Sequence, residues 1–312
     1  GPETEAIDTF WDAAERRHPA WTALRADDVY VKYDRSPKDH LVNASVSLIS
    51  SQDGGPNWLK SVTKRVAQIT DFEEAASALA EIRCYGAMLE AGFGIHPIPT
   101  GSKPTADFEF HLVEQIGVVE VAAKLEHADQ VLQAISVAAG DTLEGVDRAT
   151  TETSVGKVAT TTREMHPFGA PDPNKAGDTT QTNAISRICS VKGRETQATP
   201  GTSAILWIDF RDLGKWPGIL TVEQSSPLVS SGRDGLLTSG AIWYGFYGWK
   251  GAPVLEGSGD YHNFTTPMAH FGRFHPEAPK KSLYSAAVIC LEDATLLFEN
   301  TAALQSLSRD VR

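Results

Sequence analysis

Hydrophobic and polar positions change their period along the chain, and each change predicts an element. Residues 3–25 have the spacing of a helix, whose apolar side comprises Phe10, Trp11, Ala14 and Trp21. Residues 28–50 alternate between apolar and polar positions, which predicts a pair of strands. Residues 51–58 then contain Gly and Pro at the density typical of a loop.

The next segment has the clearest local signals. A helix is predicted to open at Thr70-Asp71, where either side chain can cap its first turn, and to end at Gly92. A connector rich in Pro and Gly then leads into Pro104–Leu125, which predicts two short strands joined by a turn. Residues 126–139 have the spacing of a further helix.

The second half predicts more strands than helices. Residues 147–181 are rich in Thr, Pro and Gly, which predicts a long polar loop with room for one hairpin. A helix is predicted over 182–197, and strands are predicted over 204–210, 240–248, 285–292 and 295–300. This order of elements predicts an α/β fold with a mixed central sheet flanked by helices, in which residues 3–312 form one extended domain.

Composition and charge narrow the functional classes. The chain has 312 residues, of which 41% are hydrophobic, and no apolar run reaches the length that crosses a bilayer. The cysteines, Cys84, Cys189 and Cys290, form no CxxC pair, so we expect a reduced cytoplasmic protein without a zinc ribbon or a disulfide framework. A net charge of -12 disfavours a passive nucleic-acid binder, but it is compatible with an acidic site that binds a cation.

Two acidic residues interrupt the apolar strands of Pro104–Leu125. Asp107 lies in the first strand and Glu120 in the second, so a hairpin would bring the two carboxylates together. Adjacent carboxylates repel each other unless a cation lies between them, and oxygen donors of this kind suit a hard divalent ion. The pattern therefore predicts a Mg²⁺ or Mn²⁺ site at Asp107 and Glu120.

The same segment resembles the PD-(D/E)XK nuclease superfamily, whose core is restriction-endonuclease-like. That core has a helix with an acid, a strand with Asp, a hairpin partner with Glu-x-Lys, and another helix. Residues 70–140 follow this order, with Glu81 on the helix, Asp107 in PTADFEF and Glu120 in VVEVAAKL. The resemblance implies metal-dependent hydrolysis of nucleic acid, with DNA favoured over RNA. It also implies that the Val121 carbonyl is a further ligand and that Glu81 binds a metal-bound water or a second ion.

The departure from the family pattern is Ala122, which occupies the position of the motif lysine. Lys124 lies on the same face of the strand and is the candidate to orient the attacking water, although two residues along a strand span roughly 6.6 Å. Alternatively, a lysine reaches the site from elsewhere in the chain. A third alternative is deliberate replacement, since the opening Gly1-Pro2 is typical of a protease-cleavage remnant. The fourth is natural loss of activity.

Two hypotheses follow from this sequence. The first is a Mg²⁺-dependent PD-(D/E)XK-like nuclease, active or inactivated by the loss of lysine at position 122. The second is a catalytically silent protein of the same fold that binds a partner in a bacterial multi-protein system. A protein partner or a homo-oligomer fits either hypothesis, and neither involves a membrane.

Overall fold

The structure is a computed structural model that describes part of the chain. The described residues are 2–15, 39–67, 72–99, 105–123, 147–153, 156–162, 188–189, 191, 195, 198, 201–211, 222–227, 229–230, 237–238, 240–251, 255–256, 263–264, 271–291 and 294–307. The predicted helices over 126–139 and most of 182–197 therefore lie outside the described residues, as does Lys124.

Helices form the N-terminal part of the described chain. They are α1 (Pro2–Glu15), α2 (His40–Ser50), α3 (Gly55–Val66) and α4 (Phe72–Glu90). The side chain of Asp39 caps α2 by accepting a hydrogen bond from the Val42 N–H at 3.0 Å. Among the described residues, no helix has both the length and the apolar character that a membrane span requires.

Helix α2 corrects the prediction of strands over residues 28–50. Its buried positions are Val42, Ser45, Val46 and Ile49, which is the spacing of one helical face. The strand prediction is wrong for residues 40–50, and residues 28–38 lie outside the described part. Helix α3 begins at Gly55, inside the predicted loop, because Pro56 fits the first turn of a helix. The predicted helix at 70–92 is confirmed as α4.

A mixed six-stranded sheet forms the centre of the described fold. In chain order, the strands among the described residues are β1 (Gly94–Pro97), β2 (Phe108–Leu112), β3 (Gln115–Ala123), β4 (Asp147–Thr153), β5 (Gly156–Thr162), β6 (Ser203–Asp209), β7 (Val229–Ser230), β8 (Leu237–Thr238), β9 (Leu255–Glu256), β10 (Asn263–Phe264), β11 (Ala286–Cys290) and β12 (Thr295–Glu299). The order in the sheet is β1-β2-β3-β6-β11-β12. Strands β3, β6 and β11 run parallel, and the outer pairs are antiparallel. The α/β class predicted from the sequence is confirmed.

The sheet separates two hydrophobic cores. The first core lies between α1–α4 and one face of the sheet, where Val119, Val121 and Trp207 are buried. The second core lies on the opposite face and includes Ala122 and Leu206. Alternation along β3 and β6 produces this division, because neighbouring residues of a strand point to opposite faces.

A short helix in the second core corrects another prediction. Residues 240–248 were expected to form a strand, but Ala241–Tyr247 is a helix, α5. Ile242 and Phe246, four residues apart, are both fully buried on it. Within the stretch 147–181, β4 and β5 form an antiparallel hairpin, and residues 163–181 lie outside the described part.

Candidate functional site

The hairpin of β2 and β3 brings Asp107 next to the segment that carries Glu120. The strands pair Phe108 with Val119, and the Asp107 N–H also donates to the Val119 carbonyl at 3.0 Å, so the regular register ends at Phe108. The Asp107 carboxylate also accepts a hydrogen bond from the Val121 N–H at 2.7 Å. The backbone therefore fixes the Asp107 side chain against β3, at the level of Glu120.

Glu120 is buried in the middle of β3. Its side chain is 2% exposed, and the hydroxyl of Tyr284 donates a hydrogen bond to its Oε2. A carboxylate in the interior is stable only with such partners, because desolvation disfavours its charge. Nothing in the sequence indicated Tyr284, since it lies 164 residues away along the chain.

Glu81 lies on α4, on the first-core side of the sheet, and is paired with Arg65 of α3. The guanidinium donates to both oxygens of the Glu81 carboxylate, at 2.6 and 2.9 Å, and it also contacts Glu74. Burial raises the pKa of Glu81, and the negative charges of Asp107 and Glu74 raise it further, against the opposing effect of Arg65. Asp107 is therefore close enough to Glu81 for the two charges to interact.

Position 122 is part of the hydrophobic interior. Ala122 is 6% exposed and belongs to the second core, where its register partner on β6 is Ile208. Strand alternation places it on the same face as Glu120, as the motif comparison expects of that position. The side chain of Val121 points the other way, into the first core.

A buried charge network lies at the carboxyl ends of the parallel strands. Arg83 of α4 is 2% exposed, and it donates to Asp39 at 2.8 Å and to Asp209 at 3.2 Å. Asp209 ends β6 beside Ala123 of β3, and its other oxygen accepts from the Arg211 N–H at 2.8 Å. Burial lowers the pKa of Arg211. The sequence signal for this network was limited to an aspartate at the end of the apolar run 204–210.

A second buried network lies behind Tyr284. The Arg273 guanidinium lies over the Tyr284 ring, 5.1 Å from its centroid, and donates to Glu195 at 2.7 Å. Glu195 also accepts from the Ser282 hydroxyl at 2.8 Å and from the Leu283 N–H at 2.6 Å. These contacts fix the chain segment that leads into β11.

The acidic residues provide donors that suit a hard cation. Among the described residues, no three His, Cys, Asp or Glu side chains are grouped to hold a metal by themselves. Mg²⁺ requires less, because it is usually bound by one or two carboxylates together with waters and substrate phosphates. Asp107 and its neighbours supply carboxylate oxygens, and a cation would relieve the repulsion that raises the pKa of Glu81. In donor chemistry and charge, the residues fit Mg²⁺ or Mn²⁺.

Comparisons of the chain with protein-family models, with curated proteins and with solved structures found no match. A function for this chain therefore has to be inferred from the residues of the site and their geometry.

Proposed function

We propose that this chain carries the metal site of a PD-(D/E)XK-like nuclease, with alanine in place of the motif lysine at position 122. The substrate class is nucleic acid, with DNA favoured over RNA, and the cofactor is Mg²⁺ or Mn²⁺. The observation that carries the proposal is the fixed position of Asp107 against β3 at the level of Glu120. The chain order of Glu81 on α4, Asp107 directly before β2 and Glu120 on β3 supports the same proposal.

Each acidic residue has a separate part in this proposal. Asp107, oriented by the Val121 N–H at 2.7 Å, and Glu120, oriented by Tyr284, would hold the metal together with the Val121 carbonyl. Glu81 would hold a water at the edge of the site, and its charge is balanced by Arg65. When bound, the metal would activate water and stabilise the negative charge that develops on the scissile phosphate.

The lysine of the motif would orient the attacking water, and position 122 cannot do so. Lys124 remains the candidate for that role, and it lies outside the described residues. Without a lysine in that role, the acids would still bind a divalent ion, because their oxygens coordinate a metal without help from an ammonium group. Metal binding and cleavage are therefore separate properties in this proposal, and they need separate measurements.

A catalytically silent protein of the same fold is the second candidate. The observation in its favour is the complete burial of position 122 in the second core, where Ala122 packs as an ordinary apolar residue. Trp249 is 44% exposed next to α5 and would belong to a partner surface in such a protein. The aromatic residues Tyr244 and Phe246 are core residues instead.

Calorimetric titration with Mg²⁺ and Mn²⁺ tests the metal site directly. We expect the parent chain to bind the ion, and we expect Asp107→Asn and Glu120→Gln to weaken binding at least about tenfold, because each removes a charged ligand. Glu109→Gln is the matched control, since Glu109 is an exposed glutamate of the same hairpin and should leave binding unchanged. Absence of binding to the parent chain would overturn the metal site and favour the silent protein.

Cleavage is tested by restoring the lysine. We expect Ala122→Lys to cleave DNA in the presence of Mn²⁺, and Ala122→Met, which has a similar stem without the charge, to remain inactive. RNA of the same sequence serves as the competing substrate. A folded Ala122→Lys chain that binds the ion and cleaves neither polymer would contradict the nuclease proposal while leaving the metal site standing.

A further inference from the structure

Tyr284 connects the candidate glutamate on β3 to the start of β11, two strands away in the sheet. It directly precedes the Ser285 that leads into β11, and its side chain is 1% exposed in the second core. Its hydroxyl reaches Glu120 of β3, although β6 lies between β3 and β11 in the sheet. The contact therefore spans β6 on the second-core side of the sheet. Its acceptor, Glu120, is one of the metal ligands in the proposed function.

The Tyr284 ring is fixed from several sides. Its carbonyl accepts a hydrogen bond from the Asn300 side chain at 2.8 Å, which anchors the main chain. Arg273 lies over the ring, and the carbonyls of Ile188 and Val191 accept from the same guanidinium at 3.2 and 2.5 Å. These contacts leave the ring little room to change its rotamer, so the position of the hydroxyl oxygen next to Glu120 is fixed.

Two other tyrosines, Tyr244 and Tyr247, make a different kind of contact. The Tyr244 hydroxyl donates to the Trp249 carbonyl at 2.6 Å, and the Tyr247 hydroxyl donates to the Glu299 carbonyl at 2.8 Å. Those acceptors are main-chain carbonyls, which satisfy the hydroxyl but orient no acidic side chain. Tyr284 instead donates to an acidic side chain, and hydrogen bonds to a charged acceptor are the stronger class.

We propose that Tyr284 is a positioning residue of the metal site, whose hydroxyl fixes the rotation of the Glu120 carboxylate, with Arg273 holding the Tyr284 ring. The inference rests on the proposed function, because it takes Glu120 to be a metal ligand. Carboxylate rotation is a soft torsion, so a donor on one oxygen determines the direction in which the carboxylate can bind an ion. Hydrogen-bond partners of ligating side chains commonly change metal affinity by ~10–100-fold when they are removed.

The test compares Tyr284→Phe with Tyr247→Phe. Each variant loses one hydroxyl that donates a hydrogen bond, from Tyr284 inside the second core or from Tyr247 packed against it, and thermal unfolding measures the structural loss in both. Titration with Mg²⁺ measures the Kd. We expect Tyr284→Phe to raise the Kd about tenfold, and we expect Tyr247→Phe to leave it within about twofold of the parent. An unchanged Kd in Tyr284→Phe, or equal weakening in both variants, would overturn the inference.

A double variant separates positioning from general destabilisation. If Tyr284 acts through Glu120, Tyr284→Phe combined with Glu120→Gln should bind the ion no more weakly than Glu120→Gln alone. Additive losses would contradict the inference. If the parent binds no ion, the proposed function fails together with the inference. If the parent binds through Asp107 and Glu120 and Tyr284→Phe binds equally well, the inference alone fails.

A spectroscopic measurement covers the case in which Tyr284→Phe does not fold. Binding of Mg²⁺ to Glu120 should weaken the hydrogen bond from Tyr284, and this should change the near-ultraviolet absorbance of the parent chain. We expect the difference signal to saturate with the Kd from calorimetry and to be lost in Glu120→Gln. A parent chain that binds the ion without any tyrosine signal would count against the inference.

Discussion

Replacing Arg83 with methionine tests how the helices are held on the sheet beside the candidate site. Arg83 lies between Asp39, which caps α2, and Asp209, which ends β6, at 2.8 and 3.2 Å. All three side chains are buried, so removing the guanidinium leaves two interior carboxylates without the cation between them. Breaking a buried ion pair from one side costs about 3–5 kcal/mol, and methionine retains most of the apolar packing of the arginine stem.

Urea unfolding at neutral pH measures this loss. We expect the midpoint to fall and the m-value to stay constant, because the surface exposed on unfolding is unchanged. Lys64→Met is the control, since it removes the same charge from an exposed position of α3 and should change the free energy of unfolding by less than about 0.5 kcal/mol. Adding Asp39→Asn and Asp209→Asn to Arg83→Met should recover part of the loss. A loss below about 1 kcal/mol in Arg83→Met would refute the reasoning that the network acts as a buried ion pair.

Two further predictions concern groups whose pKa is raised by burial. Burial raises the pKa of Cys189 to about 11, and it also raises the pKa of Cys84 and Cys290. We therefore expect negligible alkylation by iodoacetamide at pH 8 in the folded chain, because the thiolate is the reactive form. In urea, we expect all three thiols to be modified. Fast labelling of the folded chain would contradict this. The raised pKa of Glu81 means that the folded state binds its proton more tightly, so its contribution to stability declines as pH rises above the ordinary glutamate pKa of 4.5. Glu81→Gln should therefore gain stability relative to the parent as pH rises through that window. Glu90→Gln, which changes an exposed glutamate of the same helix, should not. If the free energy of unfolding of Glu81→Gln and of the parent change in parallel with pH, the pKa of Glu81 is not raised.

The central strands could be predicted because their sequence signals are local. Strands β3, β6 and β11 are short apolar runs rich in Val and Ile, which suits strands buried on both faces. Helix α4 could be predicted from the polar residues at its start and from Gly92 after its end, where the φ angle is 85°. In these segments, the intrinsic secondary-structure preference of the residues and their burial in the fold favour the same element.

The two wrong strand predictions lie in segments whose apolar spacing fits both a helix and a strand. Val42 and Val46 are four residues apart, as are Ile242 and Phe246, and residues four apart share a face in a helix and also in a strand. What distinguishes the two in α2 is the burial of Ser45, a polar residue that the alternating pattern placed on the other face. In α5, the aromatic residues favoured a strand by propensity, and packing against the second core outweighed that preference.

Some residues of the candidate site could be predicted from nearby sequence, and others could not because they lie far away in the chain. A hairpin prediction could place Asp107 beside the strand that carries Glu120, because a two-residue turn at Val113-Glu114 determines the register of β2 and β3. Arg65 and Tyr284 could not be found, since each reaches the site from an element whose position depends on the packing of the whole sheet. Long-range partners of this kind leave no periodic signal in a single sequence.

The site also extends beyond the segment that resembles a nuclease. Residues 70–140 contain Glu81, Asp107 and Glu120, but β3 takes its parallel neighbour from β6 and Glu120 takes its hydroxyl partner from Tyr284. Without β6, β3 would be an exposed edge strand, and such edges are prone to mispairing. Because Arg65 approaches from the first core and Tyr284 from the second, both layers have to fold before the acids take these positions. The candidate site would therefore gain its geometry only as part of the larger sheet.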